Sequence, residues 1–342
     1  MAGFIAFLAR RAVNAVITII LMIFMIFLLV HIVAPNPIAL ARLVAPNPRA
    51  SKQVLEVIAK DHGFYNPIYI QFFDYIKQVF TGNLGTDLLY GVPEIFEIER
   101  FLPISFEMVL MGSVIGVIIG LYTGAIAAAN RGTATDYGVK GLYLVTWAAP
   151  IFVLGVIMQL VFSFWLNLLP ASGIANPLLA PPHSVTGFPL IDGLLAGDWT
   201  YAYSVLQHMI LPALTLGVAS FGVVTRLTRA TMVDALDKDY VKLAYMKGLS
   251  KSKVVYGTAL RNALIPIITL IALIFGTAVG GAVVIEDLFN YRGLGYFAVV
   301  SVYNLDYPAI LGITIILGIS VIAANFIADI LYGVIDPRVR IT

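Results

Sequence analysis

The chain has 342 residues, 60% of them hydrophobic and only 12% charged, with a mean hydropathy of +0.93; soluble domains carry roughly 25% charge. That balance excludes an ordinary soluble enzyme and identifies an integral membrane protein. The net charge of +2 argues against a nucleic-acid partner, and the absence of cysteine excludes disulfides, thiol catalysis and cysteine-ligated metal.

Crossing the hydrocarbon as a helix takes about 20 apolar residues. Six runs meet that length: about 12–33, 106–129, 141–166, 208–225, 264–284 and 309–332. They predict an all-α membrane protein with six transmembrane helices. Arg10 and Arg11 precede the first run, whose 22 apolar residues exceed the about 7–15 of a signal peptide; a retained helix is expected. Fourteen Lys/Arg fall on one set of connections and seven on the other, six of the seven in the long first loop. The positive-inside rule therefore places both termini in the cytoplasm. The four histidines, His31, His62, His183 and His208, are scattered without metal-ligand spacing.

In chain order, residues 1–33 form the N-terminal segment and first helix. Residues 34–105 form an outer loop region with short helices, including an amphipathic stretch from Tyr69 to Phe80 that offers a platform for an external partner. Residues 106–342 form the core, helices two to six, with an inner loop at 226–262. Gly112, Gly116, Gly120 and Gly124 recur every fourth residue in the second run and predict close, smooth helix contact. In the third, Pro150 predicts a kink, and Trp147, Pro150, Gln159 and Phe162 are candidates for lining a route.

The inner loop is a charged island holding eight Lys/Arg between Arg226 and Arg261. At helical spacing Tyr240, Val241, Ala244 and Gly248 share a stripe, opposite Lys238, Asp239 and Lys242. Gly248 suits the left-handed end of that helix, and Ser250 or Ser252 is placed to cap a second helix starting near Lys253. A helix, turn and helix are predicted.

This island resembles the cytoplasmic loop of ATP-binding-cassette (ABC) importer permeases, with Lys242, Leu243, Ala244 and Gly248 at the positions of its Glu-Ala-Ala motif and following glycine. Further likeness comes in order. Pro67 and Gln71 precede Gly82-Asn83-Leu84-Gly85. Glu286, Phe289 and Gly293-Leu294-Gly295 follow the fifth run, with Arg292 where proline is common. Asp306-Tyr307-Pro308 opens the sixth run, and Asn325, Asp329 and Asp336-Pro337-Arg338 complete the series. Together they are similar to the dipeptide/oligopeptide permeases, of the first-permease type.

The resemblance implies a type I importer permease moving peptides or oligosaccharides by ATP-driven alternating access; nickel or another small solute is the alternative cargo. It implies a second homologous permease, two cytoplasmic ATP-binding subunits carrying ATP and Mg, and an extracellular solute-binding protein. Asp239, Tyr240, Lys242, Ala244, Lys247, Gly248, Leu249 and Ser250 would couple to the ATPase, and a bulky side chain at Gly248 would clash in its groove. Glu286, Phe289, Gly293 and Gly295 would form an outer gate or loop. The chain itself has no Gly-Lys dipeptide and hence no phosphate-binding loop, so no catalytic role, cofactor or metal is expected in it. A channel or carrier without an ATPase, or a structural membrane subunit, are the readings from other classes.

Asp306 reads as a helix cap. Asp329, costly inside a span, calls for a partner, and Glu286 reads as a solvated acid at the membrane edge.

Overall fold

The computed structural model describes residues 2–47, 49–88 and 91–335; the terminal Asp336-Pro337-Arg338 lies outside them. Among the described residues, regular structure is helical apart from one β-bridge between Thr86 and Pro93. The long helices are α1 (Ala2–Val33), α5 (Glu94–Ala129), α9 (Trp199–Leu236), α11 (Leu260–Leu288) and α13 (Tyr307–Ile335). The short ones are α2 (Pro37–Val44), α3 (Lys52–Asp61), α4 (Ile68–Phe80), α6 (Ala134–Ala148), α7 (Ile151–Met158), α8 (Pro189–Leu195), α10 (Asp239–Met246) and α12 (Leu294–Tyr303). Two π-helical segments, Gln159–Trp165 and Lys253–Ala259, extend α7 and lead into α11. Among the described residues, four helices are long and apolar enough to cross a membrane, or five if α6 and α7 form one broken span.

The central pair is α5 and α9. Gly112 lies against Ala213 and Leu216, Gly116 against Gly217 and Ser220, Gly120 against Phe221 and Val224, and Gly124 against Thr225 and Thr228. Missing β-carbons let the backbones approach: one added at Gly112 would stand 2.8 Å from the Ala213 carbonyl oxygen, and one at Gly124 2.6 Å from Thr228 Cβ. Both numbers rise together along this seam, so the two helices run parallel. The chain between them returns across the bundle through α6 and α7.

That return differs from the single kinked helix expected. α6 and α7 meet at 106°, because Pro150 lacks an amide hydrogen and drives Ala149 into extended backbone at ψ 131°.

α1 runs antiparallel to α13: Arg11 pairs with Asp329 at 3.0 Å, and Met22 packs on Gly318. Asp329 thus has the partner its depth demands. At the other end of α13, the Asp306 carboxylate caps the helix through the Ala309 amide and also accepts from the Leu88 amide at 2.6 Å. That end adjoins the start of α5, where Ile98 packs with Leu294, Phe297, Ala309 and Ile313. The ends of α1 and α13 near Arg11 and Asp329 therefore share a side with the last turns of α5 and α9.

Candidate functional site

α10 sits at that shared side, under the ends of the central pair. Its start is unassisted by a side-chain cap; its end is fully determined. Gly248 has φ +75°, its amide donates to the Tyr245 carbonyl at 2.9 Å, and the Leu249 amide reaches back to Ala244 at 3.3 Å. This paired-bond ending needs the left-handed residue that glycine supplies without strain. The chain then re-enters helix at Lys251. Ser252 forms no side-chain cap, and the Ser250 backbone carbonyl takes the Val254 amide at 3.0 Å.

The stripe predicted to meet a partner is divided by the structure. Val241 and Ala244 are only 2% and 7% exposed, packed with Ala125 and Ala128 of α5, Met232 and Ala235 of α9, and Val254, Val255 and Ala259 of the π segment. Ala244 is therefore a contact within this chain, because one side of so short a helix must anchor it. The opposite side carries Asp239, Lys242, Leu243 and Met246. Leu243 is 52% exposed and Met246 82%, an unusual display on a charged helix. Lys242 donates to Asp239 at 2.9 Å and holds that exposed carboxyl below its ordinary range. Tyr240, Lys247, Leu249 and Ser250 flank the surface, and the space beside Gly248 is open: a β-carbon added there would meet nothing within 4 Å.

A second anchor has no local signature in the sequence. Asp136, fully buried at the start of α6, accepts from Arg229 Nε at 2.6 Å and Nη2 at 2.9 Å, from the Gly132 amide at 3.0 Å, and pairs with Lys140 at 3.0 Å. It ties the α5–α6 turn to α9 beside α10. Its partner lies 93 residues away, beyond any local pattern; an acid facing a strongly basic loop is the whole of the sequence signal.

The route candidates scatter. Trp147 is exposed, with Arg226 over its ring at 5.8 Å. Pro150 marks the break. The Gln159 amide donates to the Ala171 and Leu288 carbonyls at 2.9 and 3.3 Å, and Phe162 packs against the central core. Gln159 thus ties the broken span to the far end of α11.

There the expected outer loop is built inward. Glu286 is fully buried rather than solvated, since its carboxylate accepts from the Tyr296 amide at 3.0 Å at the start of α12. Gly293 and Gly295 leave it room: β-carbons there would fall 2.6 and 3.1 Å from its Oε2. Phe289 is buried with Met108, Met209 and Ile285. Among the described residues no group of His, Asp or Glu is arranged to hold a metal ion.

Two family models match the chain: the binding-protein-dependent transport system inner membrane component over residues 109–341, and the N-terminal part of such membrane components over residues 4–88. The chain is 36% identical over 309 residues to the probable D,D-dipeptide transport system permease protein DdpB of Escherichia coli K12, covering 90% of each. It is 34% identical to the di/tripeptide transport system permease protein DppB of Pseudomonas aeruginosa, covering 98% of this chain and 99% of that protein. A chain of the MetNI methionine ABC transporter, solved in inward-facing conformations, shares the fold with a TM-score of 0.52 at 14% identity, over 71% of this chain and 98% of its own. With both family models and these relatives spanning nearly its whole length, the chain belongs to the binding-protein-dependent transport system inner membrane component family, among its dipeptide and oligopeptide permeases.

Proposed function

We propose that this chain is the permease subunit of an ATP-driven importer of short peptides, working with a solute-binding protein and with ATPase subunits that grip α10. The observation that carries the coupling role is the two-sided α10: Val241 and Ala244 fasten it to α5, α9 and the π segment, while Leu243 and Met246 stand exposed beside Asp239 and Lys242. A partner seated there pushes on the inner ends of the central helix pair. The names of two relatives, a D,D-dipeptide and a di/tripeptide permease, support peptides as cargo.

In this reading the bundle crosses the membrane six times, through α1, α5, the broken α6–α7, α9, α11 and α13. The parallel run of α5 and α9 supports counting α6–α7 as one crossing. A second permease pairs with this one, ATP and Mg reside on the partner subunits, and α10 faces the cytoplasm with both termini. Cysteine at Ser250 should then be labelled only from the cytoplasmic side, and cysteine at exposed Leu178 only from outside; the reverse pattern overturns the orientation. The broken span, with Gln159 and Phe162, is the proposed wall of the substrate route.

The coupling test is a pair of substitutions on the exposed side. Leu243→Asp and Met246→Glu remove apolar contact with a partner while leaving the buried side intact, so stability should change by no more than about 0.5 kcal/mol. ATPase co-purification and peptide uptake should both fall. Uptake equal to the parent's in both variants sinks the coupling assignment.

A further inference from the structure

We propose that α4 is a membrane-surface helix, with Tyr69, Phe73 and Phe80 resting in the outer lipid layer alongside α1. In sequence the segment Ile68–Phe80 has apolar residues at Tyr69, Phe73, Ile76 and Phe80, spacings of four, three and four that stack them on one side of a helix. Tyr69, Phe73 and Phe80 are each more than half exposed, Phe73 at 66%. Gln71, Asp74 and Gln78 lie on a different side and line a cavity of about 760 Å³ shared with α1 and α13. The exposed aromatic stripe and the cavity-lining polar residues thus occupy different sides of the helix, as in helices that lie in a bilayer interface.

Position decides the occupant. α4 is held against the outer third of α1: Phe72 meets Phe24 and Phe27 at ring separations of 5.2 and 5.3 Å, Tyr75 meets Phe27 at 6.0 Å, and Gln71 hydrogen-bonds His31 at 3.1 Å. From Phe24 to His31 is about 10 Å of helix rise, the depth of a headgroup boundary rather than of open solution. α1 is long and apolar enough to span a membrane from Ala6 to Val33, and its Leu21, Met25, Leu29 and Ile32 are exposed on the surface that, in the orientation proposed above, faces lipid. Phe24 touches α4 while 38% exposed itself, so the lipid-facing surface of α1 continues onto α4. Tyrosine at the end of the stripe suits the boundary, where an aromatic ring meets lipid and its hydroxyl meets water. Contact of this kind anchors the 34–105 region to the bilayer beside the outer mouth of the bundle.

Because the chain has no cysteine, single cysteines can report each position. Spin labels would be placed at residues 69, 73, 74, 77 and 80, in the chain assembled with cysteine-free partner subunits in nanodiscs of phosphatidylcholine and phosphatidylglycerol. Accessibility to oxygen and to the water-soluble relaxant NiEDDA would then be compared. The expected result is an oxygen-to-NiEDDA ratio above one at 69, 73 and 80 and below one at 74 and 77. A ratio below one at 69, 73 and 80 puts the stripe in water or against a dissociable binding protein, and overturns the proposal. Low access to both relaxants there means that a permanent subunit covers the stripe, and overturns it too. Co-purification of the partner subunits with each labelled variant checks that the assembly is intact, and equal ratios at all five positions would show that α4 is not a helix at the surface.

Discussion

Arg229 grips Asp136 with two parallel hydrogen bonds, 2.6 Å from Nε and 2.9 Å from Nη2, so that α9 and the start of α6 share one buried charge. Asp136 is fully buried and Arg229 partly so, and the pair gains from geometry that matches guanidinium to carboxylate. Asp136→Ala leaves Arg229 and Lys140 without their anion and should cost about 3 kcal/mol, at the lower end for a broken buried pair because both cations reach solvent. Adding Arg229→Ala should cost less than a second full penalty. Thermal unfolding of the single and double variants in detergent measures the coupling; strict additivity would show that the pair does not act as a unit.

Gly248 supplies a cleaner probe of the partner surface than the clash expected from sequence. Its backbone is left-handed at φ +75° and the space around it is open. Any L-residue pays about 1–2 kcal/mol for that conformation, and a β-carbon there meets no neighbour within 4 Å. Gly248→Ala and Gly248→Trp should therefore lower stability equally, while only Gly248→Trp should reduce ATPase attachment and uptake. If Gly248→Trp transports like Gly248→Ala, no subunit closes over the turn.

The connection that leads into α9 contains its own pH-dependent fastening. Burial pushes the Asp192 carboxyl up, but hydrogen bonds from the Thr186 amide and hydroxyl, the Ser184 hydroxyl and nearby amides outweigh it and leave the group below its ordinary range. With the native pKa below the unfolded value, the unfolded chain binds the proton more tightly. The contribution is full above about pH 3.9 and fades as pH falls toward the native value. Asp192→Asn should cost about 1–3 kcal/mol near neutral pH, because donors that met a carboxylate then face an amide NH₂. It should also flatten the acid side of the melting-temperature profile between pH 5 and 3; an unchanged profile would remove Asp192 as its cause.

Much of the architecture is legible because it follows from local rules. Gly248 ends its helix in the conformation glycine permits, Asp306 caps α13, and the four-residue glycine spacing of α5 finds another helix. Asp329 demands a partner and has Arg11. What escapes depends on distance and on choice between surfaces. α10 has eight residues and apolar side chains on two sides, so periodicity alone does not tell Ala244, packed against α5 and α9, from Met246, left outside. Glu286 looks like an edge acid until the chain folds the Tyr296 amide onto it, and Pro150 signals a bend without its angle. Asp136 and Arg229 share no spacing at all.

The glycine seam also sets how force can travel. Val224, Ser220 and Thr228 of α9 seat in the notches left by Gly120, Gly116 and Gly124, so sliding one helix along the other would drive side chains out of register into backbone. Contact that looks smooth in sequence is toothed in three dimensions. α5 and α9 are left to move together as a pair, with Pro103 and Pro212 inside them as the points where either helix can bend. α10 packs against the last turns of both helices, and the core around Met209 and Phe289 surrounds the opposite half of the pair. A tilt imposed at α10 would therefore act on both helices at once.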